Sequence, residues 1–479
     1  MKKRILKKTK IIATIGPASC GERVLKTMFR SGMNIVRMNF SHGDYHTHES
    51  TMKNVVAAAK HVDVPAVILQ DLAGPKIRTG DLYKEKITLR KGRVVVLTAR
   101  ECVGDENRLF VNYAKLPREV KRGVTILLND GKIKLRVLSI AGSEVRCKVV
   151  EGGEIKGRRG INIPDVSLSI SSLTEKDKKD VKFGIQHEVD FMALSFVRKA
   201  SDILELKDIL EKAHADIGVI AKIETRDAIE NIDAIIAEAD GIMVARGDLA
   251  VEVPPEDVPL LQKMIIRKCN RVGKPVIIAT QMLESMIHSR VPTRAEVSDV
   301  ANSILDGADA VMLSEETAMG EHPTETVRMM AAVAMKIESG YPHHEALPIV
   351  HKKEKTDDKM DVVDAISRYV VSTAYDINAR SIVALTESGF TARMISRYRA
   401  QQLIVVMSPN ERTLKRSMLS FGCYPVKIKA FKYVGEAAER VRRTVEREGF
   451  AKKKDTIVIS AGVPFGKFGS TNTIMVREV

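Results

Sequence analysis

A chain of 479 residues is too long for one compact core, so two to four domains of roughly 100–200 residues are expected; with 44% hydrophobic and 29% charged residues it is neither disordered nor fibrous. The 77 basic against 61 acidic residues give a net charge of +16 and favour anionic partners, but 4% aromatics, no tryptophan and no basic run interleaved with aromatics exclude a stacking surface for nucleic acid. No apolar run approaches the ~20 residues that span a bilayer, and Lys7, Lys8 and Lys10 interrupt the start where a signal peptide would be apolar, so a cytoplasmic protein with no membrane partner is expected.

In chain order, eight short apolar runs stand at 11–16, 34–40, 66–72, 191–197, 218–224, 241–246, 275–281 and 310–316. Near-continuous Val, Ile and Ala is what parallel strands buried on both faces require. Between them, 22–31, 46–61, 200–214, 256–272 and 294–306 carry the spaced apolar positions of amphipathic helices. Ser172 and Glu175 read as a capping box that opens a further helix. Eight β/α units are the number that closes a (β/α)₈ TIM barrel.

One connection is too long for a βα loop. Residues 75–170 alternate in short runs, and the Asn129-Asp130-Gly131 step between two of them signals a hairpin. They form an inserted β domain, expected to be a small β-barrel. It leaves from the carboxyl end of a barrel strand, where barrel active sites lie, so a mobile lid is expected. After 343 a second α/β series follows, with strands at 381–386, 403–408, 424–429 and 456–460 and helices at 361–377, 389–398, 411–420 and 434–447. The domain reading is therefore a barrel from 1–74 and 171–343, a lid over 75–170, and a C-terminal α/β open sheet over 344–479.

Chemistry gathers at the ends of the barrel strands. In NIVRMNFSHG, Arg37, Asn39 and Ser41 share one strand face. They are either a polar network filling the barrel top or a binding surface, and an unpaired arginine favours the second. Lys222 and Glu224 in AKIE again sit at i and i+2, and Asp248 in VARGDLAVE closes the next strand. Two carboxylates without histidine or thiolate nearby suit a hard divalent ion, and a cation clamp without a covalent nucleophile suits phosphoryl transfer. Gly247 permits close backbone approach at a helix start. Thr280 adds a hydroxyl at the end of the seventh strand. Asp71, Lys76 and Arg78 place charge at the hinge of the insert, around the rigid Gly74-Pro75 turn. The five cysteines are widely spaced and lack a CxxC pair, so neither a disulfide framework nor a zinc site is indicated.

NIVRMNFSHG, QDLAGPKIRTG, IAKIE, IMVARGDLAVE, PVIIATQMLESM and VMLSEETA stand in the order found in pyruvate kinases, and the chain resembles that family over almost its whole length. The resemblance implies the three-domain form, without a further C-terminal phosphohistidine domain, and a reaction moving the phosphoryl group of phosphoenolpyruvate to ADP, giving pyruvate and ATP in the last step of glycolysis. It implies that Glu224 and Asp248 hold Mg²⁺, for which Mn²⁺ can substitute, and that Lys222 stabilises charge on the transferring phosphoryl. Arg37 is the phosphoryl-binding arginine by the same likeness. Gly247, Asp248 and Thr280 match the substrate carboxylate site, with Thr280 near the face where enolpyruvate is protonated. Asn39, Phe40, Ser41, His42 and Arg78 match the nucleotide side, with Arg159 and Lys199 as weaker candidates. Asn39, Ser41, Asp71 and the Leu72 carbonyl match a monovalent-cation pocket, but Lys76 stands where many members have an acidic residue, so K⁺ is expected not to be required.

A homotetramer and a phosphorylated allosteric effector are further implications. Thr386, Ser388 and Thr391, with the loop 462–471, read either as a phosphate nest or as an ordinary turn and surface loop. Two readings compete with the whole: a barrel lyase acting on phosphoenolpyruvate or a pyruvate enolate, and a nucleic-acid-binding protein on a retired kinase scaffold. The first has no use for Arg78 and a lid; the second has none for Arg37, Lys222, Glu224, Asp248 and Thr280.

Overall fold

The computed structural model describes residues 5–164, 166–341, 343, 358–430, 433–463 and 471–479. Strands Lys10–Thr14, Ile35–Asn39, Ile68–Asp71, Phe191–Leu194, Gly218–Ile223, Gly241–Ala245, Val276–Ala279 and Ala310–Leu313 are all parallel and close into one barrel, the first pairing with both the second and the eighth. Each strand is shorter than its apolar run by a residue or more. The run continues past the last ladder bond, and those trailing residues line the rim.

Alternation along the strands decides what the barrel contains. Ile12, Ile35, Leu69, Ile220, Met243 and Ile277 point inward and fill the lower interior, joined by Met418 and Leu419 from the C-terminal region. Arg37, Asp71 and Lys222 lie two residues above Ile35, Leu69 and Ile220 on the same face. The interior is therefore apolar at its base and charged at its carboxyl end. Intervening residues such as Ala13, Val36, Ala221 and Val244 face outward and bury against the surrounding helices.

The helix that precedes the fourth strand, Glu175–Gln186, is capped differently from the sequence reading. Thr174, not Ser172, is the N-cap, and its hydroxyl and the Asp177 carboxylate satisfy each other's backbone N–H groups at 3.1 and 2.9 Å. Ser172 donates instead to the Phe196 carbonyl. Both serine and threonine can cap, so the side chain with a nearer tertiary acceptor leaves the role to the other.

The insert builds a curled six-stranded sheet, from Ile161–Asn162 at one end to Arg108–Phe110 at the other, and a two-stranded ribbon of Lys86–Leu89 with Gly153–Lys156. One apolar core lies within it. The hairpin forms where read: Asn129, Asp130 and Gly131 take φ of 54°, 56° and 82° between antiparallel strands Thr125–Leu128 and Ile133–Ala141.

The C-terminal sheet runs Cys423–Lys427, Leu403–Ser408, Ser381–Leu385, Thr456–Gly462, Thr471–Glu478, with the last strand antiparallel. The sequence reading has no strand there, because the apolar run Ile474-Met475-Val476 is only three residues long between polar neighbours. This region docks under the barrel: Asp309 accepts two bonds of 3.0 Å from Arg399 and others from the Phe421 and Val276 N–H groups. No helix among the described residues is long and apolar enough to cross a membrane.

Candidate active site

Four charged side chains from three barrel strands meet at the carboxyl rim. Register sets them side by side, with Asn39 opposite Asp71 and Asp71 opposite Ala193. Arg37 Nε donates to Asp71 Oδ2 at 2.7 Å and Nη1 to the Thr14 hydroxyl at 2.8 Å. The arginine read as unpaired is thus held by a carboxylate. Asp71 in turn is no hinge residue; it is 1% exposed on a barrel strand and bridges Arg37 to Lys222, whose Nζ is 3.3 Å from Oδ1.

Lys222 is fixed on three sides. Its ammonium is 2.8 Å from Glu224 Oε1 and donates to Ser195 Oγ at 2.7 Å, and Ser195 donates onward to the Leu72 carbonyl. Burial pulls this lysine down, but the Asp71 and Glu224 carboxylates outweigh it and the net shift is upward, so it stays charged. For Asp71, burial pushes up while Lys222 and Arg37 pull down and win. Glu224 is shifted the other way: burial, and next the negative charge of Asp248, raise it against the pull of Lys222. Its second oxygen accepts from the Phe196 N–H at 2.7 Å.

Burial is the chief cause of the rise at Glu224 and the Asp248 charge adds to it; two neighbouring carboxylates are also an oxygen donor set that fits a divalent ion between Glu224 and Asp248. Among the described residues no group of three or more His, Cys, Asp or Glu side chains is arranged to hold a metal. Two carboxylates agree with an ion that completes its shell from substrate oxygens and water, as Mg²⁺ does.

Thr280 lies just beyond its strand rather than ending it, at the left-handed φ of 70°. Its hydroxyl accepts from the Gly247 N–H at 2.8 Å and donates to the Ala279 carbonyl at 2.6 Å. The amide read as open to an anion is therefore engaged by Thr280. Asp248 follows on the short helix Arg246–Glu252 and faces a cleft of about 390 Å³ between barrel and insert.

That cleft gathers four of the remaining candidates. His42, Lys76, Arg78 and Arg159 line it, together with Arg198; Lys199, one residue on, is not in its wall. A second cleft of about 420 Å³ is lined by Ser41, Lys76, Arg78 and Lys176. The loop between them is set by Phe40 stacked on His48 (centroids 4.0 Å apart), by His48 bonded to the His42 carbonyl, and by the Ser41 N–H on Asn39 Oδ1. Gly74, at φ 65°, lets the hinge pass 2.9 Å from the Ser195 Cβ at the point where a side chain would begin. Lys76 is exposed beside both clefts.

Sequence reasoning missed Thr14, Ser195, Lys176 and Arg246. Thr14 and Ser195 follow the same alternation that exposed Lys222, each a polar residue on the inward face at the end of an apolar run. Lys176 and Arg246 carry no such pattern; their carbonyl partners, Phe40 and Thr280, are visible only in three dimensions.

In the C-terminal region the Thr386 hydroxyl accepts from the Gly389 N–H, the Ser388 carbonyl accepts from Arg393, and Thr391 is buried with its hydroxyl 2.6 Å from that of Thr471. These groups make a turn and a sheet contact. The loop proposed to face them lies, over 464–470, outside the described residues.

Residues 6–327 match the family model for the pyruvate kinase barrel domain, and 364–477 that for the pyruvate kinase alpha/beta domain. The chain belongs to the pyruvate kinase family. Pyruvate kinases of Staphylococcus aureus strains MRSA252 and USA300 are each 43% identical to it over 476 residues, 99% of this chain and 81% of theirs. A crystal structure of a pyruvate kinase from Cryptosporidium parvum matches with a TM-score of 0.93 at 34% identity, covering 99% of this chain and 96% of that one. The barrel, curled sheet and open α/β sheet are thus the pyruvate kinase architecture, and the charged rim lies within the matched pyruvate kinase barrel.

Proposed function

We propose that Arg37, Lys222, Glu224, Asp248 and Thr280 carry the pyruvate kinase reaction of this chain: transfer of the phosphoryl group of phosphoenolpyruvate to ADP, giving pyruvate and ATP, the last step of glycolysis. The observation that carries the assignment is the Lys222 ammonium, held charged among Ser195, Asp71 and Glu224 at the barrel rim. A transferring phosphoryl spreads negative charge over its equatorial oxygens, and pre-oriented cations stabilise that charge without reorganising. Lys222 supplies one such charge. Arg37, its Nε spent on Asp71 and its Nη1 on Thr14, is assigned to the phosphoryl oxygens through Nη2. The substrate carboxylate is assigned to the start of the helix that carries Gly247 and Asp248, beside Thr280, and Thr280 serves the face where the methylene carbon of enolpyruvate takes up its proton.

Pyruvate kinases generally need a divalent cation; held by Glu224 and Asp248, Mg²⁺ or Mn²⁺ supplies Lewis-acid charge at the phosphoryl group. Asn39, Phe40, Ser41, His42, Arg78 and Arg159 are assigned to the nucleotide, with Lys199 a weaker member. The cleft between barrel and insert supports the insert, 75–170, as a lid over the barrel of 1–74 and 171–343. The region 344–479 is assigned to a phosphorylated effector and the chain to a cytoplasmic homotetramer. Activity without K⁺ is proposed because the Lys76 ammonium stands beside the cleft that Ser41 lines and contributes the positive charge there.

Pyruvate formation from phosphoenolpyruvate that depends on both ADP and Mg²⁺ is the expected result of a coupled assay; pyruvate released without ADP would overturn the reading. The same assay in tetramethylammonium salts should keep most of its rate. Near-complete loss of turnover there, restored by K⁺, would refute the role given to Lys76.

A further inference from the structure

The turn after the seventh barrel strand is strained, and its fastening has no role in the assignments above. Thr280 and Gln281 sit consecutively at φ 70° and 54°. For a β-branched residue this conformation costs about 1–3 kcal/mol and persists only where the surroundings over-determine it. Arg246 provides that constraint. Its Nη2 donates to the Thr280 carbonyl at 2.9 Å, its Nε to the Ala279 carbonyl at 3.4 Å, and its Nη1 to Asp299 at 2.6 Å. From the other side the buried Glu316 accepts the Leu283 N–H at 3.2 Å and the Ser314 N–H at 2.6 Å. A planar guanidinium reaches two carbonyls and a carboxylate from three separate nitrogens held in one rigid plane, whereas an ammonium would have to meet all three from a single point.

Fixing the backbone fixes the hydroxyl. The Thr280 Oγ1 is tied to the Ala279 carbonyl and to the N–H of Gly247, the residue next to Arg246. The same helix start therefore aims the guanidinium at the Thr280 backbone and the amide at its side chain. These contacts bypass Arg37, Lys222 and Glu224.

We propose that Arg246, anchored by Asp299, is a positioning residue for the pyruvate kinase reaction, holding Thr280 left-handed so that its hydroxyl meets the face where enolpyruvate is protonated. The inference rests on the role proposed for Thr280. It acts on the proton-transfer half of the reaction, in which a C–H bond forms at the methylene carbon as the enol oxygen becomes the ketone oxygen. Phosphoryl transfer depends on Lys222 and the ion instead.

The two halves can be read separately. Exchange of pyruvate methyl protons with D₂O, followed by proton NMR with Mg²⁺ and ATP present, reports proton transfer at carbon. Single-turnover quenching of ATP formation from phosphoenolpyruvate reports phosphoryl transfer. Arg246→Met is expected to slow methyl exchange about 10–100-fold, the loss expected from an ångström-scale misplacement, while single-turnover ATP formation falls far less. Asp299→Asn should give a smaller loss of the same selectivity, and it carries the test if Arg246→Met does not fold. Thr280→Ala should slow exchange by itself, and adding Arg246→Met should slow it no further. Normal exchange in Thr280→Ala would remove the role of Thr280 and the inference with it. Slow exchange in Thr280→Ala beside normal exchange in folded Arg246→Met and Asp299→Asn, or equal loss of both halves in these variants, would overturn the positioning role alone.

Discussion

At the scale of single residues, the site is a balance of charges that would be costly apart. Lys222 and Asp71 are almost fully buried; Lys222 is kept ionised by Asp71 and Glu224, and Asp71 by Lys222 and Arg37. A buried charge without such partners neutralises. Lys222→Met removes the fixed cation and should lower kcat by ~10²–10³-fold, as loss of one pre-oriented stabiliser does, with divalent-ion affinity measured by Mn²⁺ titration little changed. Near-normal turnover in that variant would end its catalytic assignment. Glu224→Ala removes a proposed metal ligand, a charged interaction worth about 1.5–3 kcal/mol, so Mn²⁺ should bind roughly 10–100-fold more weakly. Arg37, Asn39, Lys222 and Glu224 were legible because strand alternation puts them on one face. The work of Asp71 was not, because its partners come from strands 34 and 151 residues away.

At the scale of elements, the insert is joined to the barrel by a few polar straps along its return segment. Asn162 donates to Glu252 at 2.8 Å, Ser167 to Asp227 at 2.7 Å, and Arg198 to the carbonyls of Leu168 and Ile170. Glu252 is raised by burial and next relieved by Asn162, with Asp227 and Asp248 adding to the rise. Asn162→Ala leaves that half-hidden carboxyl without its donor, a loss of about 1–3 kcal/mol. Faster amide exchange over 161–170 and a higher KM for ADP are expected, and unchanged exchange there would deny Asn162 a part in holding the insert. The sequence pattern located the insert and its hairpin, since both depend on neighbours in the chain. The straps join residues 28 to 90 positions apart and leave no local trace.

For the whole molecule, the underside of the barrel is closed by the C-terminal region, with Met418 and Leu419 among the interior residues and Arg399 on Asp309. Lys10, at the base of the first strand, is wholly buried in this junction, with its ammonium over the Tyr424 ring. Burial pulls it down to about 8, against smaller upward pulls from Cys423, Glu338 and Asp309. Between about 8 and its ordinary 10.5 the unfolded chain then holds a proton at Lys10 that the fold does not, so the Lys10 contribution to stability rises with pH across that window. Lys10→Met should remove that contribution, read as the difference in urea midpoint between variant and parent at a series of pH values; a difference that stays constant with pH would show that Lys10 is charged in the fold. By itself the sequence determined the barrel, the insert, the second α/β region and the rim residues Arg37, Lys222, Glu224 and Asp248, because strand and helix periods are local and rim residues follow apolar runs. Only the tertiary structure decided that Asp71 ties Arg37 to Lys222, that Arg246 fastens Thr280, and that Met418 and Leu419 fill the barrel base. Those pairings depend on how distant segments meet when the barrel closes, and no local spacing records that.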